Sequence, residues 1–221
     1  MSQQCSVRSC IQPTSGFSNL CELHKRTMRR HGHAEQKGVT VHELQPFVER
    51  VAARRAKNPA SPTWNLLQRR WEALTAHAEA TLRGYATGAA AVSHERQTAE
   101  QLIVLRDNVP GDAVIDVALA MIAMGEQRPG RFKSDKAFGF QMSRRVRGLA
   151  RVNAGSHWNA KTARMKITYK DTPPRVLDCF AESLKVAFGV AGMRLAELEK
   201  KEAEGMKSER QQLHDALKDL K

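Results

Sequence analysis

The chain has 221 residues, of which 41% are hydrophobic and 27% charged. This composition excludes a wholly disordered protein, and the length allows one or two domains. No apolar run is long enough for a transmembrane helix, and the N-terminus lacks the basic-then-apolar pattern of a secretory signal, so we expect a cytoplasmic protein. Aromatic residues make up 5% of the chain, which disfavours an aromatic base-stacking platform.

The net charge of +13 points to a polyanionic partner, and it is concentrated in two blocks. Residues 1–57 carry a net charge of +6, and residues 128–170 carry +11, from twelve Lys or Arg and one acidic residue. Residues 58–127 carry −3 and residues 171–221 carry −1. A merely solvated basic surface is the alternative interpretation of the second block, but it seldom contains so few acids.

Three of the four cysteines lie near the N-terminus, and a histidine follows them. Cys5, Cys10, Cys21 and His24 have the spacing Cys-x4-Cys-x10-Cys-x2-His. Thiolates and an imidazole are the usual ligands of structural zinc, with no position left for water. Such a site stabilises a segment too small to bury its own core. The pattern therefore predicts a structural Zn²⁺ site, with free thiols or a disulfide as the alternatives.

Two further histidines leave the fourth ligand open. His31 and His33 follow His24 and can replace it as ligand. We favour His24, because a Cys-x2-His spacing places both ligands on the first turn of a helix.

The predicted helix after the cysteines is strongly basic. Its candidate nucleic-acid contacts are Lys25, Arg26, Arg29 and Arg30. Together with the cysteine pattern, this segment resembles the short N-terminal CCCH zinc knuckle of phage and mobile-element proteins, which often precedes an HNH endonuclease domain. The resemblance covers residues 5–33 and implies association with nucleic acid and a mobile-element origin. The remainder of the chain is not recognised. It lacks an HNH core, because no second histidine follows His157 within nuclease spacing, so the resemblance does not imply cleavage.

The middle of the chain predicts a run of helices. Thr40 and Glu43 fit a capping box at the start of one helix, and Pro62 and Ser93 begin two more. The two tryptophans of the second helix lie on its apolar stripe, where we expect core residues. A helix after Asp112 is apolar on most sides and predicts the central core element.

The second basic block predicts a helix from Ser134 to about Val152 with one apolar face and one Arg/Lys face. Such a helix can contact phosphates while it packs on its own core, and arginine can also read guanine edges in a major groove. A surface helix whose arginine stems cover apolar neighbours is the alternative. The residues of this block predicted to bind nucleic acid are Arg131, Lys133, Lys136, Arg144, Arg145, Arg147, Arg151, Lys161, Arg164 and Lys166.

The end of the block predicts a loop over residues 153–158, followed by a short strand or basic extended arm over residues 163–169. From Leu177 to Leu198 the apolar residues recur with near-heptad spacing, which predicts a long helix. A break is expected at Gly205, with a marginal helix after it. This helix can form a homodimer or pack within one chain.

These patterns predict a mainly α protein with a small N-terminal zinc knuckle, a multi-helix domain and a long C-terminal helix. The expected boundaries are 1–36 for the knuckle with its basic helix, 39–192 for the helical domain and 193–221 for the charged C-terminal helix or tail. We find no phosphate-binding glycine loop and no hydrolase or metalloprotease motif. The sequence thus favours a non-enzymatic, zinc-containing DNA-binding protein, a regulator or accessory factor of a phage, plasmid or other mobile element, with RNA as the other possible nucleic acid. The alternatives are a degenerate nuclease that kept the knuckle, or a protein-interaction adaptor that uses it.

Overall fold

The computed structural model describes residues 3–14, 16–90, 92–160, 162–169 and 171–218, with the backbone alone at 153–157, 166–169, 216 and 217. These residues form seven α-helices and one hairpin: α1 (Glu22–His31), α2 (Val41–Lys57), α3 (Pro62–Ala86), α4 (Ser93–Asn108), α5 (Gly111–Gln127), α6 (Asp135–Arg147), β1 (Ala154–Asn159), β2 (Arg164–Tyr169) and α7 (Pro174–Lys218). Single turns of 3₁₀ helix span Pro129–Arg131 and Arg151–Asn153. The predicted mainly α fold with a long C-terminal helix is confirmed.

Helix α5 forms the centre of the core, as its apolar sequence predicts. Ten of its residues are buried, and it packs against α2, α3, α6 and α7. Helix α7 approaches it closely because Gly192 has no side chain; a Cβ there would lie 2.7 Å from Ile122. Burial removes apolar area from water at about 25 cal/mol per Å², so the ten buried residues of α5 contribute to the stability of the core.

Helix α2 begins with the predicted capping box and is anchored to α5 by charge. The Thr40 hydroxyl accepts from the Glu43 amide at 3.1 Å, and the Glu43 carboxylate accepts from the Thr40 amide at 3.5 Å. Further along, Arg55 donates to Asp112 at 2.6 Å and to Asp116 at 2.5 Å. These contacts fix the side of the core on which residues 40–57 lie.

Helix α6 is shorter than its sequence predicts. It ends at Arg147 with Gly148 as its C-cap, and the backbone bonds that follow are of the tighter i to i+3 kind. The predicted helix to Val152 is therefore wrong, because a glycine interrupts it and a 3₁₀ turn replaces its last residues. As a result, Arg151 does not belong to the Arg face of α6.

Strands β1 and β2 pair as an antiparallel hairpin. Ala154 pairs with Tyr169, and Asn159 pairs with Arg164 beside the turn. The strand predicted after residue 163 is confirmed, but the loop predicted for 153–158 is wrong. Gly155 and Asn159 are typical of turns, and the segment becomes a strand only because β2 supplies its backbone partners.

Helix α7 continues through Gly205 to Lys218, so the predicted break is wrong. A glycine inside a helix costs only about 1 kcal/mol, and one turn earlier Glu202 of α7 forms a partly exposed ion pair with Arg54 of α2 at 2.5 Å. The helix crosses the predicted boundary at residue 193, and the domain boundaries and the homodimer both stay predictions. Within the described residues, none of the helices combines the length and the apolar character needed to cross a bilayer.

Candidate metal centre and nucleic-acid interface

The structure brings together the side chains of Cys5, Cys10, Cys21 and His24, whose ligand atoms all lie within 4.8 Å of one another. His24 Nδ1 is 3.4 Å from Cys5 Sγ and 3.3 Å from Cys21 Sγ, and the sulfurs of Cys10 and Cys21 are 3.9 Å apart. Cys21 is the N-cap of α1. The Cys-x2-His spacing therefore places His24 on the first helical turn, as predicted.

These distances fit a tetrahedron around a metal ion. Bonds of about 2.3 Å to sulfur and about 2.0–2.1 Å to nitrogen imply edges of about 3.8 Å between two sulfurs and about 3.5 Å between sulfur and nitrogen. The measured distances of 3.9, 3.4 and 3.3 Å are close to these values. The cysteines are free thiols. The cluster is the one group of three or more metal-ligating side chains within ligand distance in the described part of the chain.

The loop that carries the first two cysteines is shaped by its own backbone. The amide of Cys5 donates to the carbonyl of Gln12 at 3.0 Å, and that of Ser6 donates to Asn19 at 2.9 Å. The amide of Cys10 donates to the carbonyl three residues earlier at 3.0 Å. The chain thus returns on itself and delivers its thiols to one point without a hydrophobic core.

The cluster also favours a thiolate. Burial raises the pKa of the Cys5 thiol, but backbone hydrogen bonds from Cys21 and Val7 and the side chain of His24 outweigh this effect and lower the pKa to about 6. The thiolate is the form of cysteine that binds metals. The polypeptide therefore stabilises at Cys5 the charge state that a metal ion requires. At Cys10 a backbone hydrogen bond from Gln12 lowers the pKa, but burial and the thiols of Cys21 and Cys5 outweigh it and raise the pKa.

The two alternative histidines lie outside the cluster and have other partners. His33 Nδ1 accepts a hydrogen bond from the amide of Glu35 at 3.2 Å. His31 Nδ1 lies 3.1 Å from the side-chain nitrogen of Gln141 on α6. Among the three histidines, the structure thus brings His24 alone to the cysteines.

Gln141 joins the N-terminal segment to the core. It is buried, and its amide oxygen accepts from the amide of Val39 at 2.9 Å. Its amide nitrogen is therefore the donor to His31, whose Nδ1 must be the unprotonated acceptor. Burial, Arg144 and Arg30 lower the pKa of His31, which favours the same neutral ring.

The residues after α1 also dock on α6 and on the loop before it. Gly32 has φ of +79°, and a Cβ there would lie 2.9 Å from the carbonyl oxygen of Lys136. The side chain of the buried Gln36 accepts from the amide of Lys133 at 3.0 Å and donates to the carbonyl of Arg131 at 3.4 Å. Sequence analysis did not find the buried glutamines, since only their tertiary partners distinguish them from surface residues.

The residues predicted to bind nucleic acid have different environments. Exposed side chains are those of Lys25, Arg26, Arg29, Arg30, Lys133, Lys136, Arg151 and Arg164. Arg131, Arg144 and Arg145 are half-buried, and Arg147 is buried. Lys161 and the side chain of Lys166 lie outside the described residues, and the prediction for both stays a prediction.

Arg131 and Arg147 have internal partners. Arg131 donates to both carboxylate oxygens of Glu43, at 2.6 and 3.0 Å, and to backbone carbonyls of the segment before α2. Arg147 is 6% exposed and donates from Nε to Gln101 on α4. Burial, together with the charge of Arg144, lowers the pKa of Arg147 to about 10. Both side chains are thus engaged within the fold, Arg131 with a carboxylate and Arg147 with a neutral amide, and their predicted contacts to nucleic acid stay predictions.

The two basic blocks of the sequence meet at α1. Helix α1 contacts α6, and Arg30 lies 3.5 Å from Asp171, just after β2. Arg144 on α6 lies close enough to Arg30 and Asp171 for their charges to affect its pKa. Burial lowers the pKa of Arg144 most, followed by the charges of Arg145 and Arg30. A groove of about 490 Å³ lies between the basic face of α1 and Asp171. The basic face of α1 thus lies beside the half-buried Arg144 of α6 and beside Asp171, which follows the hairpin.

Comparisons with known proteins leave this chain without a relative from which to assign a family. No protein-family model matches it, and no curated protein or solved structure gives a significant match.

Proposed function

We propose that this protein is a non-enzymatic, zinc-containing DNA-binding protein, a cytoplasmic regulator or accessory factor of a phage, plasmid or other mobile element. The observation that carries the proposal is the meeting of two basic segments more than a hundred residues apart in sequence. Arg30 of the first segment and Asp171, next to the second, are 3.5 Å apart.

Zinc is the metal that the donor set favours. Three thiolates and one imidazole in a four-coordinate arrangement are characteristic of structural zinc and leave no open position for a substrate. The site begins α1 and orients its basic face. The proposed role of Zn²⁺ is therefore to hold the segment that presents Lys25, Arg26, Arg29 and Arg30.

A nucleic-acid phosphate backbone is the partner that the charge distribution favours, and double-stranded DNA is the one that we propose. The residues from 128 to 170 carry a net charge of +11, and the arginines of α1 and Arg164 on β2 are exposed. Burial lowers the pKa of Arg144 most, and the charges of Arg145 and Arg30 lower it further, so a phosphate bound beside these arginines would relieve the repulsion between them. Each phosphate neutralised by such a surface releases counterions and makes binding depend steeply on salt.

A salt series tests the proposal. The zinc-loaded protein is titrated with a random-sequence duplex at several salt concentrations, and the logarithm of affinity is plotted against the logarithm of salt. The double variant Arg26→Gln, Arg29→Gln removes two exposed charges from α1. The expected slope is shallower by about 1.8, because each phosphate contact contributes about 0.9.

The matched control is Arg69→Gln, Arg83→Gln on α3, which makes the same change in net charge at two exposed positions. Its slope is expected to remain that of the wild type. Equal slopes for the two double variants would move the contact away from α1. No binding of the wild type at low salt would refute the DNA-binding function itself.

A further inference from the structure

The tip of the β1–β2 hairpin exposes an apolar pair. Trp158 pairs with Met165, one position before Asn159 and Arg164 at the turn. The two apolar side chains are 60% and 58% exposed. The turn is closed by the amide of Thr162, which donates to the carbonyl of Asn159 at 3.2 Å.

Trp158 differs in this respect from the other two tryptophans. Trp71 is buried in the core. Trp64 is half-buried, donates from Nε1 to the carbonyl of Asn58 at 3.0 Å and lies under the guanidinium of Arg55 at 4.5 Å. Among the tryptophans, Trp158 is therefore the one whose ring is mostly open to solvent.

Pairing divides the tip into two faces. Side chains alternate along a strand, so Trp158 and Met165 share one face while Asn159 and Arg164 share the other. An isolated two-stranded hairpin is only marginally stable in water, and an uncovered apolar pair adds to that cost. A ligand that covers the pair would stabilise the hairpin.

The charge around the hairpin identifies the kind of ligand. The hairpin belongs to the block of net charge +11, Arg164 is exposed at its tip, and its base adjoins Arg30 through Asp171. An apolar partner protein would gain little from such a setting, whereas DNA offers phosphates beside apolar base pairs. Apolar side chains that enter the minor groove separate base steps and bend the duplex.

We infer that the hairpin tip is a wedge, in which Trp158 and Met165 enter the minor groove of duplex DNA and unstack one base step while Arg164 contacts a neighbouring phosphate. This inference rests on the DNA-binding function proposed above. It needs one aromatic side chain rather than a stacking platform, in keeping with the low aromatic content of the chain. The inference also assigns a separate role to each element: α1 and α6 contact the phosphate backbone of the DNA, and the hairpin deforms the duplex.

The test uses the zinc-loaded full chain and a random-sequence duplex with a fluorophore at each end. Energy transfer between the ends measures bending, and tryptophan emission measures stacking on bases. Trp158→Thr removes the ring but keeps a residue that favours strands. The control is Val186→Thr, which also replaces a solvent-exposed apolar side chain, on α7.

The wild type is expected to bend the duplex by about 20° or more, and DNA is expected to quench its emission. Trp158→Thr is expected to lose the bend and most of the quenching, and to bind at least about fivefold more weakly. Its salt slope should not change, since no phosphate contact is lost. Val186→Thr should behave as the wild type in all three measurements.

Accessibility to acrylamide provides a readout that does not depend on a variant. In the wild-type complex Trp158 should become protected. A duplex that binds with a steep salt slope, remains straight and leaves tryptophan emission as accessible as before would overturn the wedge and leave the DNA-binding function intact. Protection by single-stranded RNA or by an acidic protein, but not by the duplex, would also overturn it. Absence of duplex binding at low salt would refute both proposals.

Discussion

Replacing the buried Gln141 by leucine tests how the N-terminal segment is attached to the core. Leucine has nearly the same volume, so the change removes hydrogen bonds and leaves the packing almost intact. It leaves the buried amide of Val39 without its acceptor at 2.9 Å and His31 without its donor at 3.1 Å. An unsatisfied buried amide costs about 1–3 kcal/mol and a lost half-buried hydrogen bond about 1 kcal/mol, so we expect destabilisation by about 2–4 kcal/mol.

Urea denaturation and amide hydrogen exchange measure this effect. The free energy of unfolding should fall by the stated amount, and residues 31–39 should lose more protection than α5. The control is Gln127→Leu, where an exposed glutamine bonds Arg50 and Glu199; a surface change of this kind is usually worth no more than about 0.5 kcal/mol. If Gln141→Leu were as stable as Gln127→Leu, Gln141 would not be the attachment point.

Three further changes test the same region. Cys10→Ser should release the metal and abolish the protection of backbone amides before α1 against hydrogen exchange, while the amides of α5 stay protected. Hydrogen exchange and metal analysis on the same sample measure both effects. Loss of amide protection in α5 as well would show that the knuckle and the core unfold together. Gly32→Ala should destabilise by about 2 kcal/mol in urea denaturation, because φ of +79° disfavours any side chain. Burial, Arg144 and Arg30 lower the pKa of His31 below its ordinary 6.5, so the unfolded state binds the proton first and stability should fall as pH drops below about 6.5. At saturating zinc, His31→Gln should lose that part of the pH dependence.

The main elements of the fold follow from local patterns. The apolar residues of α5 need burial on all sides, the capping box at Thr40 starts a helix wherever it packs, and the spacing of Cys21 and His24 brings both to one helical turn. These features depend on residues a few positions apart, and for that reason the sequence alone reveals them. The four residues of the Cys/His cluster can likewise be identified from the sequence alone, because their spacing within one short segment indicates them.

The errors have different causes. Residues 154–159 become a strand because β2, a later segment, satisfies their backbone groups. Helix α7 passes Gly205 because a single glycine costs a helix only about 1 kcal/mol. Gly148 was a local signal that α6 ends early, but the amphipathic pattern continued beyond it and outweighed it.

Composition and spacing determined the candidate metal ligands, the helical class and the excess of positive charge, because each of these is a property of neighbouring residues. Only the tertiary structure decided which positive charges share a surface. It buries Arg147 against Gln101, engages Arg131 with Glu43, and brings Arg30 to within 3.5 Å of Asp171. The physical reason is that a guanidinium is equally basic in any sequence, whereas its availability to a phosphate depends on the burial and partners that packing gives it.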